Sequence, residues 1–115
     1  MTKVEVRKLF MGLRDMCKNP KFEVVGDYLY SKGEEYTRIA QALLDSNTLD
    51  VDYANHIKGE SGYDMARHPE ELTFKECCTA LTFLVRAERF SPMAFTEALQ
   101  DGTVYKLLSR MCEVL

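Results

Sequence analysis

Four cysteines, two histidines and one Arg-x-x-Arg pair are the residues of this chain whose types and spacing raise the question of chemistry. Zinc requires thiolates and imidazoles clustered at short spacing. Cys17, Cys77, Cys78 and Cys112 include no C-x-x-C pair, and His56 and His68 lie far apart with no such pair beside either. A site assembled in three dimensions from His68 with Cys77 or Cys78, or a Cys–His nucleophile pair, is a lesser reading than buried structural thiols. Cys77 and Cys78 are adjacent, and adjacent side chains on a helix point about 100° apart, so they are poorly placed to bond each other. Calcium fares no better. Asp45 opens an acidic run, but a calcium loop needs an oxygen ligand at its fifth position, Gly at its sixth and Glu at its twelfth. Leu49, Asp50 and His56 stand there instead, and a loop starting at Asp50 puts Asn55 and Ser61 at the sixth and twelfth positions. Asp50 or Asp52 is more simply a helix N-cap.

Gly-rich phosphate loops and a G-x-S-x-G nucleophile motif are absent from the sequence. Carboxylates are plentiful between Glu60 and Glu76, which reads as a solvated acidic face before it reads as acid–base machinery. No catalytic residue, metal ligand or cofactor is therefore expected. The best candidates for a site are Arg86 and Arg89, one turn apart on one face at a helix C-terminus, with Arg110 as a third member. Cations there complement the helix dipole, so an ion pair with Glu88 or Asp101 is the plain expectation. The alternative is bidentate capture of a carboxylate or phosphate, assisted by free N–H groups of a helix starting at Pro92.

A helix-turn-helix is weaker. Ala98 and Gly102 have the right offset, and Leu108 and Met111 supply later apolar positions. But Glu97, Asp101 and Thr103 fall where buried apolar residues belong, and the second helix offers DNA only Lys106 and Arg110.

These residues must be positioned by helices, each with its own punctuation. Thr2 with Glu5, Ser31 with Glu34 and Thr73 with Glu76 read as capping boxes. Helical apolar stripes follow each: Val6 to Cys17, Tyr36 to Leu44, and Phe74 to Val85. Leu72 and Cys77 read as a hydrophobic staple. Asn19-Pro20 stops the first helix. In KFEVVGDYLYS, Phe22, Val25 and Leu29 fit a helix face, although FEVV also suits a short extended piece. The acidic segment Thr48 to Pro69 is broken by Gly59 and Gly62 into one or two short helices. Ser91 reads as a cap and Pro92 as a first turn, with Phe90 and Phe95 stapling the corner. Gly102 ends that helix, and Val104 to Leu115 form a last stripe. With no hairpin-bounded alternation, the expectation is an all-α, compact single-domain bundle of five to seven helices over residues 1–115.

Size and charge agree. The chain has 115 residues, 46% of them apolar, enough for one core without metal or disulfide staples. Its net charge of −3 is unevenly spread. Residues 1–32 carry seven Lys/Arg and four Asp/Glu; residues 33–72 carry three and nine; the remainder is balanced. Such a dipolar chain suits self-association or a basic partner, and nucleic acid would ask for a much more basic domain. No charge-free run reaches the ~20 residues of a membrane helix, and the N-terminus alternates charge where a signal peptide would not. A cytoplasmic protein with reduced thiols is the expectation.

The run from Leu72 to Met111 resembles the C-terminal part of a bacterial family of small helical domains of unknown function. Leu81, Thr82, Arg86, Arg89, Phe90, Gly102, Leu107, Leu108 and Arg110 carry the resemblance, and Ser91-Pro92-Met93 departs from it. The family implies no activity. The functional expectation is thus an interaction or regulatory module without catalysis, with a protein partner or a second copy. A small anion-binding or enzymatic domain using Arg86 and Arg89 comes second and a nucleic-acid-associated regulator third.

Overall fold

The capping boxes are local devices, and two of the three form as the sequence dictates. In the computed structural model, which describes residues 1–115, α1 (Lys3–Met16) begins where Glu5 N–H donates to Thr2 Oγ1 at 3.2 Å and Thr2 N–H to the Glu5 carboxylate at 3.1 Å. The helix buries Val6, Phe10 and Leu13, and its cap residue Cys17 is buried as well. The second expected box does not form. Ser31 belongs to a strand, and α2 (Glu35–Asp45) starts at Glu34 without a side-chain cap. The Ser31 hydroxyl donates instead to the Glu35 carboxylate at 2.8 Å.

That strand corrects the all-α expectation. The protein is mostly helical, but β1 (Phe22–Val25) and β2 (Tyr28–Ser31) make an antiparallel hairpin with Val25 opposite Tyr28. The connection is Gly26-Asp27, with Gly26 at φ +63° and Asp27 at negative φ, the pattern of a type II′ turn. Phe22, Val25 and Leu29 fit a helical period equally well. A helix would, however, hold Gly26 and Asp27 in its interior and forgo the pairing of Val24, Val25, Tyr28 and Tyr30, residue types that suit strands. Cross-strand pairing puts Phe22, Val24, Leu29 and Ser31 on one face, where all but Val24 are partly buried, and Glu23, Val25, Tyr28 and Tyr30 on the other, which is exposed.

Asn47, at φ +57°, turns the chain out of α2 into a loop that crosses to the central helix. The acidic segment forms a 3₁₀ turn at Tyr53–Asn55 and a five-residue helix, α3 (Gly62–Ala66), capped by Ser61. Pro69 does not close this segment; it opens a further 3₁₀ turn, Pro69–Glu71.

Helix α4 (Phe74–Ala87) is the axis of the molecule. Its box is complete, with Glu76 N–H donating to Thr73 Oγ1 at 3.2 Å and Thr73 N–H to Glu76 at 2.9 Å. Eight of its residues, from Cys77 to Val85, are buried, because α2, α3 and the two following helices surround it. Leu72 and Cys77 both lie in the core, as the staple requires. Helix α5 (Ala94–Gln100) and helix α6 (Thr103–Val114) are separated by Asp101 and a left-handed Gly102, φ +88°. Val104, Leu107, Leu108, Met111 and Cys112 of α6 complete one contiguous core. No helix is long and apolar enough to cross a membrane.

The corner between α4 and α5 is built otherwise than expected. Ser91-Pro92 lies in a connecting turn rather than in the first turn of α5: Phe90 N–H and Ser91 N–H bond back to Ala87 O, at 3.0 and 2.9 Å, and Ser91 O accepts from Ala94 N–H at 3.1 Å. Met93 then takes a left-handed conformation, φ +72°, and α5 begins at Ala94 without a side-chain cap from Ser91. Phe95 is buried, but Phe90 is 83% exposed, so no staple forms.

Candidate functional site

Arg86, half-buried, lies in the last turn of α4, whereas Arg89, exposed, falls in the turn just beyond the helix end and not on its face. Neither has an acidic side chain within ion-pairing distance. The acids expected to meet them serve as caps. Glu88 accepts from Phe95 N–H at 3.3 Å, in the first turn of α5, and Asp101 accepts from Thr103 N–H at 2.9 Å, in the first turn of α6. Free N–H groups at a helix start attract a nearby carboxylate, and here that attraction wins over the arginines. It also fills part of the N–H array that an anion at α5 would need.

Arg110 does not join the pair. Its Nε donates to Leu72 O at 3.0 Å and its Nη1 to Glu113 at 3.0 Å. Leu72 precedes α4, whereas Arg86 ends it, and a 14-residue helix separates them by about 21 Å. Arg110 therefore fastens α6 to the entry of α4, and of the two cations that a DNA-reading α6 would offer only Lys106 is free.

No three His, Cys, Asp or Glu side chains are grouped so as to hold a metal ion. Cys17, Cys77, Cys78 and Cys112 are all buried and unbonded. Burial pushes Cys17, Cys77 and Cys78 up to about 12 and raises Cys112 as well. His68 instead lies 3.9 Å from Asp64 and 3.8 Å from Glu70, half-exposed.

A polar cluster that sequence reasoning did not assemble surrounds Asp50. Its carboxylate accepts from Thr79 Oγ1 at 2.6 Å, from His56 Nδ1 at 2.7 Å and from Asp52 N–H at 3.1 Å. Its own N–H donates to Thr82 Oγ1 at 3.1 Å. An aspartate only accepts here, so His56 carries its proton on Nδ1. Burial raises the Asp50 pKa, but the bonds from Thr79, His56 and Asp52, with the charge of His56, outweigh it and hold the carboxyl below its ordinary value. An Asp-oriented imidazole is what a general base uses. Here, however, Nε2 faces Asp52 at 3.9 Å, and the adjoining recess of about 380 Å³ is walled by Leu49, Asp50, Phe74, Lys75 and Cys78 without His56. The cluster ties the crossing loop to α4. The six-residue spacing of Asp50 and His56 was the only local signal.

Two surface features remain. A groove of about 520 Å³ between α1 and α2 is lined by apolar Leu9, Leu13, Met16 and Ala42 and by charged Lys8, Arg38 and Asp45. The hairpin exposes Val24, Val25, Tyr28 and Tyr30, each by half or more. Its β2 strand lies against the α4–α5 corner, where Leu29 N–H meets Met93 Sδ at 3.0 Å. Phe90, Arg86 and Arg89 belong to that same corner.

These features define a small, mostly helical domain with an appended hairpin. By sequence the chain belongs to a family of unknown function (DUF6508), whose model matches residues 5–115. The likeness first read from the C-terminal third thus extends over nearly the whole chain. Comparison with curated proteins yields no match, and comparison with solved structures yields none.

Proposed function

We propose that the chain is a cytoplasmic protein-interaction module that performs no catalysis itself. The observation that supports this reading is where its exposed apolar side chains fall. Of eleven large apolar residues left exposed, five gather here, Val24, Val25, Tyr28 and Tyr30 on the hairpin and Phe90 on the corner beside β2, while Met1, Val4, Met11, Leu44, Val51 and Val114 are scattered. Aromatic side chains and arginines are the residues that protein interfaces favour, and the corner supplies both. Such a surface suits a partner that is apolar with an acidic margin, which Arg86 and Arg89 would meet without first breaking ion pairs of their own. Four free, buried thiols accord with a reducing compartment.

The test replaces Phe90 with a photo-crosslinking side chain in lysate of the source cells. Discrete adducts are expected, and they should vanish when Arg86→Ala and Arg89→Ala are combined, with the melting temperature of the free protein unchanged. Adducts no stronger than those from a crosslinker at Lys3, an exposed residue of α1, would refute the reading. The unpaired state of Arg86 and Arg89 also favours a second reading, an anion site. Under that reading inorganic phosphate raises the melting temperature of the wild type and not of the double variant.

A further inference from the structure

The hairpin has two edges, and the structure treats them differently. In a hairpin with a two-residue loop, the residues flanking the turn exchange hydrogen bonds, and so does every second pair after them. Those pairs are Val25 with Tyr28, Glu23 with Tyr30, and Lys21 with Lys32, and the 2.8 Å bond from Lys32 N–H to Lys21 O fixes this phase. Phe22 and Val24 on β1, and Leu29 and Ser31 on β2, therefore turn their N–H and C=O groups outward. On β2 that edge is covered, because Leu29 N–H is closed by the Met93 sulfur and α5 packs alongside. On β1 it is open: no other element of the protein hydrogen-bonds the backbone of Phe22 or Val24. The edge is guarded only by its shortness and by Glu23: β1 itself contains no Lys, no Pro and no bulge, and Val24 is 70% exposed.

We infer that the open edge of β1 pairs antiparallel with β1 of a second copy of this chain, making a four-stranded sheet across a twofold axis at Val24. The inference rests on the interaction reading of the hairpin and names its partner. Charge and proline select the register. Outward-facing residues must oppose outward-facing residues, which leaves three short twofold registers. An axis at Glu23 sets that carboxylate directly against its own copy, a repulsive pair. An axis at Phe22 brings Lys21 beside Glu23, but it places Val24 opposite Pro20, which has no N–H to give. An axis at Val24 opposes Val24 with Val24, Phe22 with Gly26 and Glu23 with Val25. It also sets Lys21 opposite Asp27, an attraction that the symmetry repeats. The outer faces then join, so that Val25, Tyr28 and Tyr30 of both copies share one continuous surface.

Sedimentation equilibrium across the micromolar range tests this. The wild type is expected to dimerise with concentration. Val24→Pro removes an outward N–H that the hairpin itself does not use. It should abolish the dimer while the circular dichroism and the melting temperature at low concentration stay unchanged. Lys21→Asp and Asp27→Lys should each weaken association by about tenfold, counting attraction lost and repulsion gained at two symmetric contacts, and the double exchange should restore it. A monomer at every concentration overturns the inference, as does a dimer indifferent to Val24→Pro. If Val24→Pro fails to fold, the charge exchange decides, and absence of rescue overturns the register. A monomer that still gives Arg86- and Arg89-dependent adducts through Phe90 overturns the twofold sheet and leaves the interaction reading in place.

Discussion

Removal of the Asp50 carboxylate is the sharpest test of how the acidic crossing loop is held. Asp50→Ala takes away the acceptor for Thr79, His56 and Asp52 N–H together. The Thr79 bond is short and lies where the Asp50 side chain is only 14% exposed, so it falls in the class of hydrogen bonds to a charged group, about 1.5–3 kcal/mol. The His56 contact involves a half-exposed ring and adds less than about 1 kcal/mol. Thr79 keeps a second acceptor, Lys75 O at 3.2 Å, so no orphaned hydroxyl is added to the loss. The expected destabilisation is about 2–3 kcal/mol. For 115 residues, with an unfolding entropy of about 2.1 cal/mol/K per residue, this lowers the melting temperature by roughly 8–12 °C. Urea denaturation at several pH values is the assay. The folded-state pKa of Asp50 lies below its ordinary value, so its contribution is fully present above the unfolded carboxylate value of about 3.9 and fades as pH falls through the lower folded value. The gap between wild type and variant should therefore hold steady from neutrality to about pH 5 and narrow below about pH 4. A variant within about 0.5 kcal/mol of wild type would refute the reasoning. So would a gap that persists undiminished in acid.

Gly62 begins α3 directly beneath Phe83, whose ring stacks edge-on against Tyr63 at 4.9 Å. A methyl group there overlaps the ring, so Gly62→Ala should cost about 1–3 kcal/mol in urea denaturation, and less in a Phe83→Leu background. Arg110→Ala should cost about 1–3 kcal/mol by leaving Leu72 O without its partner. Arg110→Lys should recover only part of this, since the planar fork serves Leu72 and Glu113 at once.

What the sequence revealed depended on how far apart the partners were. Thr2 with Glu5 and Thr73 with Glu76 are complete within four residues, so their types state the geometry in full. The stripes of α4 and α6 did likewise, because helical spacing alone decides which side chains share a face. Ser31 with Glu34 has the same pattern and failed, since β2 claimed Ser31 for its ladder. The hairpin was obscured because Phe22, Val25 and Leu29 satisfy two periods at once, and only Gly26-Asp27 chooses between them. Ser91-Pro92 was ambiguous in the same way, as its residues suit a connecting turn as well as the start of a helix. The roles of Arg110 and Thr79 were out of reach. Their partners, Leu72 and Asp50, lie 38 and 29 residues away, and nothing local announces them. Glu88 next to two arginines looked like their counterion, and its bond to Phe95 N–H appears only once the chain turns at Met93.

The four thiols give the molecule a set of internal clocks. Cys17 sits at the end of α1, Cys77 and Cys78 inside α4, and Cys112 in α6, all within one core. Since burial suppresses their thiolates, none reacts while its helix stays docked. Alkylation at each position then counts a distinct opening: fraying of α1 releases Cys17, detachment of α6 releases Cys112, and the adjacent pair waits for the central helix itself. Pulsed labelling read residue by residue would thus rank the order in which the natural protein comes apart, with no probe introduced.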